Sequence, residues 1–231
     1  AKGGQPRDAD SRTLAEHLFR YIEAINPDYI QIENVEEFMS WGDLDEYGKP
    51  ISRDKGKSYL RWLDNVRSYG YKFDLPLSRL IGLNSADYGA YTSRKRFFGI
   101  FAKGSLPIVF PEQTHSKKPD QKLKNWKAVR DVLDFDDEGK SIFGRKTPLV
   151  DSSLLRIYAG LIKFVAGGKD AFMVKYNSMS KAGKYNAPGV DDPCPVISTQ
   201  NRLGVACINR LNILTGKAFI SVHYGNGFCK S

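Results

Sequence analysis

Two short stretches of this chain carry side chains able to move a proton or grip an anion. The first is Tyr29-Ile-Gln-Ile-Glu-Asn-Val-Glu-Glu-Phe38, an apolar run that ends abruptly in a carboxylate and an amide. Its β-branched and aromatic residues, introduced by Asn26-Pro27-Asp28, predict a short buried strand over residues 29–32. Glu33 and Asn34 then stand at the strand's carboxyl end, where open α/β sheets bind their ligands. The second stretch is residues 83–101, in which Asp87-Tyr88-Gly89 is followed by Arg94-Lys95-Arg96. A carboxyl group can hold or deliver a proton; an arginine fork can grip a phosphate or oppose developing negative charge. Taken singly, the same residues equally suit a solvated strand end, a turn with a packing tyrosine and a charged strand entry.

The elements that must position these groups can be read from periodicity. Leu14, Leu18, Tyr21, Ile22 and Ile25 recur at helical spacing until Asn26-Pro27 stops them. Residues 39–57 are polar and glycine-containing and predict a loop beside the strand's end. A second helix spans residues 57–69, with Gly70 as its stop. Strands over residues 71–80 and 97–102 flank the loop of residues 84–96. This order, α-β-α-β-loop-β, predicts an α/β sheet. Further on, the pattern predicts a short helix over residues 126–133 and a longer one over 152–164, begun by Asp151 and ended by Gly167-Gly168. Residues 169–176 and 217–224 resemble each other and suggest a duplicated hairpin.

Composition bounds the rest. A chain of 231 residues with 41% apolar content is globular, with room for one large domain or two small ones. No apolar run approaches the roughly 20 residues a bilayer needs, which predicts a soluble, cytoplasmic protein. Cys194, Cys207 and Cys229 are odd in number and lack paired ligand spacing, which argues for free thiols and against a zinc site. The net charge of +9 is uneven: residues 1–115 carry 16 basic and 16 acidic side chains, residues 116–231 carry 19 and 10. The whole excess lies in one half. Such a half suits a polyanion, although a solvated lysine surface has the same composition.

The pairing of Glu33-Asn34-Val35 with Asp87-Tyr88-Gly89 and Arg94-Lys95-Arg96, in that order and at this spacing, resembles two conserved motifs of the DNA cytosine-5 methyltransferases, of bacterial or phage type. Asp10-Ser11-Arg12-Thr13-Leu14 resembles an earlier motif of the same family, so the resemblance runs along most of residues 1–110. Thr92 departs from it, because the family usually has Gln two residues before the first arginine. The segment Pro195-Val-Ile-Ser-Thr-Gln-Asn-Arg-Leu-Gly204 is similar to a threonine-containing part of the family's target-recognition domain, which varies more.

The resemblance implies a fold, a later half of a Rossmann-like methyltransferase domain over residues 1–115 with a mixed α+β target-recognition domain over 116–231. It also implies a reaction: S-adenosyl-L-methionine methylates C5 of a cytosine swung out of double-stranded DNA after a cysteine thiolate adds at C6. By that matching Glu33 serves N3, provided a dry pocket raises its pKa. Arg96 faces O2, Arg94 contacts the DNA backbone, and Asn34 braces the loop that carries the nucleophile. Thr199 and Arg202 are the matching candidates for DNA contact in the second half. The family's glycine-rich cofactor loop and Pro-Cys loop would precede residue 10, and Cys194, which also follows a proline, is read as a decoy. The expectation is therefore an internal fragment, inactive alone, with an apolar face on residues 14–32 and 97–101 left open for self-association or for the missing segments. The rival expectation is a DNA-binding module that keeps the fold and lacks the chemistry.

Overall fold

The structure is a computed structural model that describes residues 14–49, 51–73, 82–137, 140–176, 185, 187–198, 202–208 and 220–224, of residues 140 and 220–224 the backbone alone. Its contacts divide the chain into two compact units, 1–84 with 95–112 and 85–94 with 113–231. The chain therefore leaves the first unit at residue 85 and returns at residue 95, an excursion that a single boundary near residue 116 does not contain.

In the first unit a single 3-10 turn, Leu14–His17, leads into α1, Leu18–Ile25. Asn26 ends the helix in the left-handed region at φ 52°, its N–H donating to the Ile22 carbonyl at 2.8 Å. Strand β1, Tyr29–Asn34, follows at once. Helix α2, Lys57–Ser68, buries Tyr59, Trp62, Leu63 and Val66, the i, i+3, i+4, i+7 stripe of one face, and Gly70 at φ 84° stops it. Strand β2, Tyr71–Phe73, is short; residues 74–81 of the expected strand lie outside the described residues. Strand β3, Leu83–Asn84, precedes the excursion, and β4, Lys95–Lys103, resumes after it.

The sheet is mixed. Strand β4 runs antiparallel to β1 on one side and to β2 on the other, so β1 and β2 are parallel with β4 inserted between them. The expectation of an uncovered face on residues 97–101 is corrected, because Phe97 is 1% and Phe101 0% exposed. Their rings meet Tyr59 and Trp62 of α2 edge-on at 5.9 and 5.7 Å. The other part of that face does stand in solvent: Leu14, Tyr21, Ile25 and Tyr29 are 45–69% exposed. Phe38, four residues past β1, packs on Tyr59, Trp62 and Phe97 at 5.3–5.5 Å and anchors the chain as it leaves the strand.

The second unit opens with the excursion, then β5, His115–Ser116, and β6, Lys124–Asn125, which pair in parallel. The short helix expected at residues 126–133 is a single 3-10 turn, Val129–Val132. Its first N–H groups, on Val129 and Arg130, donate to the Asp192 and Val190 carbonyls instead of to a helix ladder. After β7, Lys140–Ser141, helix α3, Asp151–Gly160, continues into one π turn, Leu161–Val165. Strands β8, Ala171–Lys175, β9, Leu203–Ile208, and β10, Ile220–Tyr224, form an antiparallel sheet in the order β7-β10-β9-β8. The two similar segments are thus not duplicated hairpins. They flank one central strand, β9, which the sequence pattern did not announce. Gly160 is where α3 meets this sheet: a Cβ there would stand 2.0 Å from the Phe172 ring.

Candidate active site

In the first unit the antiparallel register sets Glu33 opposite Phe98 and Asn34 opposite Phe97. Residue 96 is then the diagonal neighbour of Glu33 on the same face of the sheet, within reach of a long side chain. Arg96 Nε lies 3.1 Å from Glu33 Oε1. The arginine side chain is 18% exposed and the carboxylate 48%, so one partner is largely sheltered while the other reaches solvent. A second hydrogen bond, from Arg96 Nη1 to the Lys95 carbonyl at 2.7 Å, fixes the guanidinium. Asn34 turns its amide oxygen back on the chain and accepts the Val35 N–H at 2.8 Å, closing the end of β1. Gly82, at φ 58°, lies against Glu36: a Cβ would come 2.7 Å from its carboxylate and 3.1 Å from the Arg96 carbonyl, so a larger residue is strained at this left-handed φ. The sequence reading did not single out Gly82 or Glu36.

Arg94 belongs to the second unit, at the close of the excursion. Ser85 N–H donates to the Arg94 carbonyl at 3.1 Å, Arg94 N–H donates to Ser85 Oγ at 3.1 Å, and that hydroxyl donates to the Thr92 carbonyl at 2.6 Å. Ser85 therefore closes the loop that presents Arg94, whose own side chain is exposed. Thr92, the residue that departs from the family pattern, donates its hydroxyl to the Cys194 carbonyl at 3.0 Å. The Ser93 and Cys194 N–H groups complete a parallel bridge at 2.8 and 2.7 Å. Asp87 accepts the Trp126 indole N–H at 2.8 Å, and Gly89, at φ 85°, lies against the buried His115 ring. Ser85, Trp126 and His115 carried no sequence signal of their own, because their partners are distant or chemically ordinary. Arg202 is exposed immediately before β9; Thr199 and residues 10–13 lie outside the described residues.

The thiols differ from what nucleophilic attack requires. Cys194 is buried, 6% exposed, inside the backbone bridge to residues 91–93. Burial pushes the Cys207 thiol up to about 11, with the Asp170 carboxylate adding to the effect. A reactive cysteine needs the reverse, an exposed site that favours thiolate. Cys229 lies outside the described residues.

A methyl donor with a nucleoside and a carboxylate end is held, in sheets of this kind, by a glycine turn between a strand and a helix N-terminus. Strand β1 leaves instead through Val35 into the 3-10 turn Glu36–Ser40, and Gly168 ends a helical segment. Neither segment is a glycine turn of that kind. Among the described residues no three His, Cys, Asp or Glu side chains converge as a metal site would need. No helix among them is long and apolar enough to cross a membrane.

A family model described as C-5 cytosine-specific DNA methylase matches residues 2–149, which takes in the first unit from residue 2 on, the excursion and the segment through β7. A search of curated proteins gave no match.

Proposed function

Because the chain belongs to the C-5 cytosine-specific DNA methylases, we propose that it serves methyl transfer from S-adenosyl-L-methionine to C5 of a cytosine swung out of duplex DNA. The observation that supports this reading most is the Glu33–Arg96 pair at the shared end of β1 and β4. Thiolate addition at C6 of cytosine drives negative charge onto N3 and O2. Glu33 holds or delivers a proton at N3, and Arg96, already oriented by Glu33 and the Lys95 carbonyl, opposes the charge at O2. The entering base excludes water from Glu33, which stands half in solvent without it. Arg94, with Thr199 and Arg202, contacts DNA. Residues 116–231, with their charge excess, hold the duplex while the base is out.

Neither thiol among the described residues suits the attack, since Cys194 is sealed in backbone pairing and burial raises Cys207 to about 11. Labelled methyl transfer to duplex DNA, with a Pro-Cys segment joined upstream, tests the reading. Incorporation at C5 of cytosine supports it. DNA binding without incorporation would make the chain a binding module.

A further inference from the structure

Charge in the second unit is segregated on a fine scale. Residues 116–127 carry Lys117, Lys118, Lys122, Lys124 and Lys127 against Asp120 alone, while residues 131–138 carry five acidic side chains and no basic one. From the five lysines and one aspartate, 12 residues contribute +4 of the net +9. Lys117, Lys118, Lys122 and Lys124 are exposed.

This lysine-rich segment is not loose chain. It begins with Thr114, whose N–H donates to the Asp87 carbonyl at 3.0 Å, and ends near Trp126, whose indole donates to the Asp87 carboxylate at 2.8 Å. One residue thus holds both ends, through its carbonyl and its side chain. Between them β5 and β6 pair, with Lys124 N–H on the Thr114 carbonyl and Trp126 N–H on the Ser116 carbonyl. Lys127 Nζ stands 4.9 Å over the Tyr91 ring, and His115 fills the space that Gly89 leaves free. The lysines are therefore docked on the same loop, residues 85–94, that presents Arg94.

We infer that residues 114–127 are a phosphate-backbone clamp for duplex DNA, and that Asp87 is the positioning residue that docks it beside Arg94. The inference rests on the proposed DNA substrate. Lysine is a compact charge on a flexible stem, suited to sequence-independent contact with phosphates, and such contacts set register without reading bases. Asp87 acts here through its hydrogen bonds, so its negative charge stands beside a cationic surface for a geometric reason.

Fluorescence anisotropy with a labelled duplex, read across a salt series on the full chain, tests this. Replacing Lys117, Lys118, Lys122 and Lys124 by alanine should lower the slope of log K against log salt by about 3.6, or 0.9 for each of four phosphate contacts. Arg145→Ala with Lys146→Ala, two exposed cations elsewhere in the unit, should lower it by less than about 1. Asp87→Ala gives a test of sign. Removing a negative charge would tighten binding if charge alone mattered, whereas undocking the segment should weaken it severalfold. Trp126→Phe, which removes only the indole donor and no charge, should weaken it in the same direction. An unchanged slope in the lysine variant, or tighter binding by Asp87→Ala, overturns the clamp and leaves the proposed function standing. Failure of the unmodified chain to bind duplex DNA overturns both.

Discussion

Two clusters of opposite charge, one in each unit, have similar distances and different work. In the second unit Arg130 donates to Asp191 at 2.8 Å and to Asp170 at 2.9 Å, and Lys169 reaches Asp191 at 2.8 Å. These residues lie on a 3-10 turn, the two residues before β8 and the residue after Val190, pieces far apart in sequence that are partly tied by backbone hydrogen bonds from Val129 and Arg130. Glu33 and Arg96 instead join two strands already zipped together over six residue pairs. The first cluster helps hold the fold; the second adds little to pairing that the ladder secures. On the proposed function, this pair, placed at a strand's end with its carboxylate reaching solvent, is kept for chemistry.

The comparison can be broken most directly at Arg96. Arg96→Leu should slow single-turnover methylation by about a hundredfold or more, as expected for losing a donor to developing charge. It should shift unfolding free energy by no more than about 1 kcal/mol, because the Glu33 end of the pair is open to solvent and the β1–β4 ladder is already made by backbone hydrogen bonds. A large loss of stability there would make the pair structural. Cys207, which feels both Asp170 and Arg130, reports on the other cluster. With its thiol pushed up to about 11, Cys207 should be alkylated at pH 8 about a hundredfold more slowly than an ordinary exposed cysteine. Asp170→Asn should raise that rate.

Arg130→Leu reverses the pattern expected at Arg96. It should cost about 1–2 kcal/mol in denaturant unfolding, since two aspartates are left facing each other without their common partner. Methyl transfer should change only as far as the folded fraction does. The smallest effect is on acid stability. Asp170 is held below its ordinary value by its hydrogen bond from Arg130, and Asp191 by Lys169 first and Arg130 second. Groups depressed in the folded state stabilise it above their unfolded pKa and lose that contribution as pH falls through the folded value. Unfolding followed by circular dichroism should show the network's share disappearing below about pH 4, and Arg130→Leu should flatten that limb.

Local signals carried the first unit well. A stripe of apolar residues at helical spacing marks α2, Asn26-Pro27 ends α1, and a β-branched run ending in Glu33 marks β1. The position of Arg96 was legible for the same reason, as the charged entry to an aromatic strand, whereas its pairing with Glu33 depends on the strand register. What failed was non-local. Strand β9, Leu-Gly-Val-Ala-Cys-Ile, is buried on both faces and shows no alternation, so its role between β8 and β10 depends on partners that no window contains. Residues 85–94 read as a loop of the first half, yet their partners are Trp126, Thr114 and Cys194, up to 102 residues away. The short helix at residues 126–133 was overruled because its N–H groups found carbonyls at residues 190 and 192.

The central claim is that Glu33 is a working acid and not a solvated strand end. Glu33→Gln keeps the size of the side chain and a hydrogen-bonding oxygen for Arg96, and it removes the exchangeable carboxyl proton. Single-turnover methyl transfer to duplex DNA, measured beside DNA affinity in the same preparation of the active enzyme, should fall by about a hundredfold or more while binding changes less than about threefold. A rate within a few-fold of the unmodified protein would contradict the account.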